Sequence, residues 1–338
     1  MSKDNITKIL EEVDNYEQSL NASLTFIHIF KWNTKKNAVE EAVDFWIGNQ
    51  YEPGEVTPDI TIQLSQSRGI VTELKKSIPK NDDASIDKWK PITDQLAKYD
   101  VPLVGWNTPS KKVDEQELVF LIDQKLSRLF IKYIQEKKLT FSKFSKHFCV
   151  IQFSPGSGLS NAVFLRAEHG TLDDFDYFTK EKLDNGITVA LEYLIYSGLL
   201  MIKFLDYRPP VVYLMSTLWD HVFSHFNTDW DATMLTGKTT ITEIPITIKQ
   251  VQDVLSANYT SKGAGKYVRD EWVLEALDKF VDLKLATKEK VVGKYTIKWR
   301  KKIGTYPPET SKNEIFAEML FKKPMIKKID DFIDKPSD

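Results

Sequence analysis

Apolar residues near the start of the chain recur at three- and four-residue intervals, at Ile6, Ile9, Leu10, Val13, Tyr16 and Leu20. That stripe predicts an amphipathic helix over 6–20. A second apolar run over 24–32 carries His28, which its neighbours mark as a core histidine rather than a ligand. Helical spacing returns over 38–48. The period then changes: 60–64 and 70–74 are two short runs of β-branched and apolar residues on either side of a Ser- and Gly-containing break, the pattern of two strands joined by a loop. Ile86, Trp89, Ile92, Leu96 and Tyr99 restore a helical repeat, and 101–106 reads as a further strand. The order expected for the first 110 residues is α-β-β-α-β, a sheet layered between helices.

The polar, Pro-containing stretch after Trp106 places a boundary near residue 110. Beyond it, Leu118, Leu121, Ile122, Leu126, Leu129, Phe130, Tyr133 and Ile134 predict one long helix, and 148–153 a strand. The loop at 154–160 holds two glycines but lacks the Gly-Lys-Ser/Thr ending of a phosphate-binding loop. From Ile187 the text reads as a helix followed by a two-stranded ribbon, and the same layout starts again at Ala276, this time preceded by a helix over 247–256. The expected fold class is thus α/β in the N-terminal part and α+β in the C-terminal part. The domains expected are 1–110, 111–240, 241–305 and a tail, 306–338, with a helix over 313–321.

Composition adds limits. In a chain of 338 residues, 42% apolar, there is ample material for packed cores. No apolar run is long enough to cross a bilayer and the first residues form no signal-peptide core, so no membrane role is expected. A single cysteine, Cys149, leaves no internal disulfide framework and fits a cytoplasmic protein. The net charge of −2 hides a polarity, because residues 261–302 carry 12 Lys and Arg against 6 Asp and Glu. Nucleic-acid binding would therefore rest on that basic block.

Three charges interrupt the hairpin. Side chains alternate along a strand, so Glu73 and Lys75 project to one side of the second run, and Asp59 at the start of the first can face them. Two adjacent carboxylates invite a hard divalent cation such as Mg²⁺ or Mn²⁺, and a lysine beside them can hold a water activated by it, a combination suited to phosphodiester hydrolysis. The plainer reading makes all three solvated charges of an edge hairpin. In Trp219-Asp-His-Val-Phe-Ser-His225-Phe, His221 and His225 stand four apart, a spacing that metal ligands use but that aromatic neighbours turn towards packing.

Pro58-Asp59 followed by Glu73-Leu74-Lys75 resembles the PD-(D/E)XK nuclease superfamily, and Gln95-Leu-Ala-Lys-Tyr99 resembles the Gln-x-x-x-Tyr helix of its RecB-like branch. The resemblance covers about 34–106. It implies a restriction-endonuclease-like core in which Asp59, Glu73 and the Leu74 carbonyl ligate Mg²⁺ or Mn²⁺. In it Lys75 positions water, and Glu40, with Glu41 as the alternative register, supplies the helix carboxylate. Gln95 and Tyr99 orient active-site groups or touch the substrate backbone. Helix-then-hairpin resembles the third helix and wing of winged-helix domains, which would make one or two such modules here. Lys262, Lys266 and Arg269 would then approach nucleic acid from the helix, and Lys288, Lys290, Lys294 and Lys298 from the wing. The function expected is a metal-dependent endonuclease, acting on DNA more readily than RNA. A winged-helix regulator with a degenerate nuclease domain, a ribonuclease, and a homodimer or protein contact through the C-terminal region are the alternatives.

Overall fold

The computed structural model describes residues 3–36, 44–54, 56–64, 68–78, 87–106, 112–156, 161–172, 177–226, 242–261, 268–299 and 310–322. The chain divides into two compact units. One comprises Glu17–Asp206 with Ser261–Gly265, and the other Met1–Tyr16, Tyr207–Thr260 and Lys266–Asp338. None of the four points at which the chain passes from one unit to the other falls near residue 110.

The first unit is built on a seven-stranded mixed sheet whose spatial order follows the chain. Helix α1 (Lys3–Lys36) begins in the other unit and runs on through the second apolar stretch, so the two N-terminal segments of the sequence are one helix. Strands β1 (Asp44–Ile47), β2 (Ile60–Gln63) and β3 (Arg68–Lys75) pair antiparallel in turn. Helix α2 (Lys90–Tyr99) then carries the chain over to β4 (Glu115–Asp123), and α3 (Gln124–Glu136) to β5 (His147–Pro155). Both crossovers give parallel pairs, as such connections allow. Strands β6 (Ala162–Gly170) and β7 (Ile187–Ala190), with α4 (Tyr177–Asn185) between them, close the sheet antiparallel. The class is α/β, with one strand more before α2 than the sequence pattern predicted.

Four local expectations differ from this. Residues 44–47, the described end of the segment expected to be helical over 38–48, form β1. Residues 101–106 give only two isolated bridges, both at Val104, to Glu52 and Lys112, because Pro102 lacks a donor and Trp106 turns into the core. The strand beside β3 is instead 115–123, the first part of the stretch expected as one long helix. Flanked by parallel neighbours on both sides, β4 is buried along eight of its nine positions, and such a run carries no alternation to distinguish it from a buried helix. The boundary placed near 110 thus falls between two adjacent strands of one sheet. Finally, the first helix-and-ribbon copy is absent: Ile187–Ala190 belongs to the large sheet, Leu191–Ser197 is a 3₁₀ helix, and 211–226 is helical. There the β-branched start of Val-Val-Tyr-Leu-Met is overridden by burial of Val212 to Thr217 on all sides.

One face of the sheet carries α2 and α3. Val71, Leu118, Phe120, Ile122 and Val150 of the strands meet Ile92, Leu96 and Tyr99 of α2 and Phe130 and Ile134 of α3 in a single core. Trp106 seals its edge, fully buried, with its ring against β3 at a position that only glycine can hold: a Cβ on Gly69 would lie 2.6 Å from the indole. His28 is buried as expected and bonds the Ser197 hydroxyl at 2.6 Å.

The second unit contains a three-stranded antiparallel sheet in the order β8-β10-β9, formed by β8 (Thr242–Thr247), β9 (Ala286–Lys288) and β10 (Lys294–Trp299). Between β8 and β9 lie α6 (Ile248–Asn258), started by a Thr247–Gln250 capping box, and α7 (Asp270–Asp282). Helix α5 (Val211–Thr217) and α8 (Lys312–Lys322) pack with α7 around Trp219, Phe223, Phe280 and Phe316. His225 bonds the Tyr259 hydroxyl at 2.9 Å and the His221 ring lies 5.8 Å from the same tyrosine. Among the described residues, no helix is long and apolar enough to cross a membrane.

Trp106→Ala should destabilise the first unit by about 3–5 kcal/mol, the range for emptying a fully buried aromatic site. A urea titration followed by circular dichroism checks this, and a loss below about 1 kcal/mol would show that the indole does not seal the core.

Candidate functional site

The hairpin brings its three charges together through register. Ile60 pairs with Thr72, so Asp59 comes opposite Glu73, on the face where Thr61 meets Val71. Asp59 Oδ2 accepts a hydrogen bond from the Leu74 backbone N–H at 2.6 Å, which ties the start of β2 to the end of β3. On the same face, the Lys75 ammonium donates to Glu73 Oε1 at 2.5 Å. The expectation of solvated edge charges does not hold for Glu73, whose exposure is 1%.

Helix α2 supplies the other half. Gln95 and Tyr99 lie on one side of it, and the Gln95 amide donates to the Tyr99 hydroxyl at 2.5 Å. Tyr99 in turn stands 3.0 Å from Glu73 Oε2 and 3.0 Å from the Thr57 carbonyl. The end of α2 is itself tethered: Asp100 accepts from the backbone N–H groups of Lys143, Phe144 and Ser145 at 2.7, 3.0 and 2.7 Å. Both Glu73 oxygens therefore have donors, one from its own strand and one from α2.

A further carboxylate, which the sequence did not flag, belongs to this group. Asp206 follows the buried residues Phe204 and Leu205 and interacts electrostatically with Asp59, Glu73 and Lys75. Its approach depends on Gly48, at φ +63°, because a Cβ there would fall 2.1 Å from the Asp206 Cβ. Asp206-Tyr-Arg-Pro-Pro reads locally as a turn, so only the three-dimensional fold marks it.

Burial, then Glu73 and then Asp206, push the Asp59 carboxyl well above the usual carboxylate range, against the pull of Lys75 and the Leu74 N–H. Asp206 is pushed up to about 6, by burial first and by Glu73 second. Burial acts to lower the Lys75 pKa, but Asp59 and Glu73 outweigh it and the ammonium is held above its ordinary value. Burial and Glu73 likewise raise the Tyr99 phenol, which keeps it a hydrogen-bond donor. One ammonium faces three carboxylates, so the site is short of positive charge. Among the described residues, no group of three or more His, Cys, Asp or Glu side chains stands ready to hold a metal ion, and the Lys75 ammonium occupies the place against Glu73.

Glu40 and Glu41 lie outside the described residues, as do Lys262 and Lys266. The remaining basic candidates lie in the second unit. Arg269 precedes α7, 3.6 Å from Glu271 and over the Trp272 ring. Lys288 on β9 is engaged at 2.8 Å by Asp278, which also accepts from the Tyr295 hydroxyl at 2.8 Å. Lys290 lies in the β9–β10 turn, and Lys294 and Lys298 along β10. The turn exposes Val292 at 95%. Helix α7 presents Asp270, Glu271, Asp278 and Asp282 to solvent, an acidic surface that the count over 261–302 conceals.

No protein-family model, curated protein or solved structure matches the chain.

Because Glu73, Asp59 and Asp206 all draw on one ammonium, Lys75→Met should cost about 1–3 kcal/mol, the range for leaving a buried charged group without a donor. Adding Glu73→Gln should restore most of that loss. Urea midpoints of the two variants check the coupling, and equal midpoints for the single variant and the wild type would remove it.

Proposed function

We propose that the first unit is a metal-dependent phosphodiester hydrolase acting on nucleic acid, DNA before RNA. The observation that carries this reading is the convergence of Asp59, Glu73 and Lys75 on one face of the β2–β3 hairpin, with Tyr99 of α2 bonded to Glu73 and Gln95 bonded to Tyr99. Those five residues were singled out together by the PD-(D/E)XK resemblance, and they come from a hairpin and a helix separated by an intervening segment. The excess of negative charge supports a cation there: Asp59, Glu73 and Asp206 interact in a desolvated space holding one ammonium, and Asp206 Oδ1 is buried without a hydrogen-bond partner.

Asp59, Glu73 and the Leu74 carbonyl would hold Mg²⁺ or Mn²⁺, which supplies a water of lowered pKa and offsets charge on the phosphate. Lys75 would orient the attacking water. Hydrolysis would join a water oxygen to phosphorus and break the ester P–O bond, the proton lost by the water balancing the one gained by the departing oxygen. Tyr99, fixed by Gln95, would keep the Glu73 carboxylate aimed while Lys75 changes partner from carboxylate to water and phosphate.

For the second unit, helix α7 followed by the β9–β10 hairpin, with α6 before it, supports a winged-helix-like module over about 242–299. The charge on α7 favours a particular use of it. An acidic helix repels phosphate, so nucleic-acid contact would fall to Lys290, Lys294 and Lys298 on the hairpin, while α7 suits a protein partner.

Incubation of the protein with plasmid, linear and single-stranded DNA and with RNA, in Mg²⁺, Mn²⁺ or EDTA, should show metal-dependent cleavage. Asp59→Asn, Glu73→Gln and Lys75→Met should each reduce it by about 10²–10⁴-fold, the range for loss of a positioned acid–base group. DNA binding without cleavage under any metal would favour the regulator reading. Replacing Lys290, Lys294 and Lys298 by Gln should flatten the plot of log affinity against log salt by about 0.9 for each lost phosphate contact. An unchanged slope would make the second unit a protein-contact element.

A further inference from the structure

The β9–β10 turn of the second unit carries the most exposed large apolar side chain among the described residues. Val292 is 95% exposed and its neighbour Val291 54%. One exposed apolar side chain needs no explanation. Two adjacent β-branched residues in a turn do, because Gly, Pro, Asn, Asp and Ser are the residues that turn geometry favours.

The turn is also held in shape. The Lys294 N–H donates to the Val291 carbonyl at 3.2 Å and the Glu289 N–H to the Lys294 carbonyl at 3.1 Å. Gly293, at φ +78°, supplies the left-handed residue that closes the turn. Its carbonyl accepts the Ile248 N–H at 3.1 Å, which ties the hairpin to the first residue of α6, and a Cβ on it would stand 3.3 Å from Ile248 Cδ1. Both valines are thus presented to solvent on a fixed backbone, and little ordering remains to oppose their entry into a partner.

Charge decides the kind of partner. Lys290 and Lys294 flank the pair and are exposed. The neighbouring acid, Glu289, accepts from the Thr296 hydroxyl of β10 at 3.1 Å, and Asp278 is engaged by Lys288 and Tyr295. An apolar tip between two ammonium groups complements a nucleic-acid duplex, in which apolar base steps lie between two rows of phosphates. A protein surface matches it less well, since two valines cover far less than the roughly 800 Å² that a stable partner buries on each side.

We propose that Val291 and Val292 form an apolar wedge that enters a base step of duplex DNA, with Lys290 and Lys294 on the phosphates to either side. This use of the tip rests on the nucleic-acid reading of the hairpin and not on the hydrolase reading of the first unit. A wedge of this kind unstacks the step and kinks the duplex by about 20–90°. Lysine contacts to phosphate carry no such requirement.

The test uses the full chain in EDTA, which withholds the cation that cleavage would need, and a short duplex with a donor and an acceptor fluorophore at its two ends. Wild type should bind and raise energy transfer between the ends. Val291→Ser/Val292→Ser should bind about 10-fold or more weakly, the scale of one valine returned to water. It should keep the wild-type slope of log affinity against log salt and leave transfer at the level of the free duplex. Its thermal unfolding, followed by circular dichroism, should match the wild type, because Val292 is almost wholly exposed. Should it fold poorly, Val291→Thr/Val292→Thr, of the same shape, takes its place with the same outcomes. Equal transfer in the two proteins, or a wild type that binds without changing it, overturns the inference and leaves the nucleic-acid reading standing. Absence of duplex binding by the wild type overturns both. Capture of the wild type but not the variant by phosphatidylserine vesicles, with the duplex unbent, also overturns it and gives the tip to a bilayer surface.

Discussion

A carboxylate at 1% exposure has to be matched by donors and by opposite charge, and Glu73 sets this requirement for everything around it. Its own strand provides Lys75 and helix α2 provides Tyr99, so the burial of one side chain ties the sheet to the helix that crosses over it. The rest follows outward. Tyr99 holds its place because Gln95 and the Thr57 carbonyl share its hydroxyl, and α2 holds its place because Asp100 grips three backbone N–H groups ahead of β5. A polar network of this kind is costly when half-made and rigid when complete. Here it reaches from the edge of the hairpin to the centre of the sheet.

What local pattern shows, and what it does not, divides along physical lines. The β2–β3 hairpin was legible because β-branched runs flank a turn, and the pairing of Gln95 with Tyr99 because a helix repeats every three to four residues. The α6, α7 and hairpin succession was legible for the same reasons. Strand β4 was not, since a strand buried on both faces reads as an unbroken apolar run. Val211–Thr217 misled in the opposite sense: its first residues favour a strand, but its surroundings bury it as a helix. Asp206 had no local signal at all, because its significance lies in Gly48, far away in the chain, and neither residue forms a motif with its neighbours.

Charge shows the same limit in the second unit. The surplus of Lys and Arg over 261–302 is real as a count, yet the helix within that block turns acids outward and Asp278 occupies Lys288. A block average cannot express which face of a helix a charge occupies. The hairpin and the helix beside it consequently offer different surfaces within one small fold.

The placement of Asp206 at the close of its unit bears on how a growing chain copes with its own repulsion. The Asp59–Leu74 contact closes a loop of only 15 residues, so Asp59 and Glu73 come together early, with Lys75 at hand to balance them. The third negative charge emerges only after β7, the last strand of the seven, has been made. By then the sheet and its helices exist to hold the carboxylates in place. The third carboxylate thus joins the other two only once the seven strands that bear them have been made.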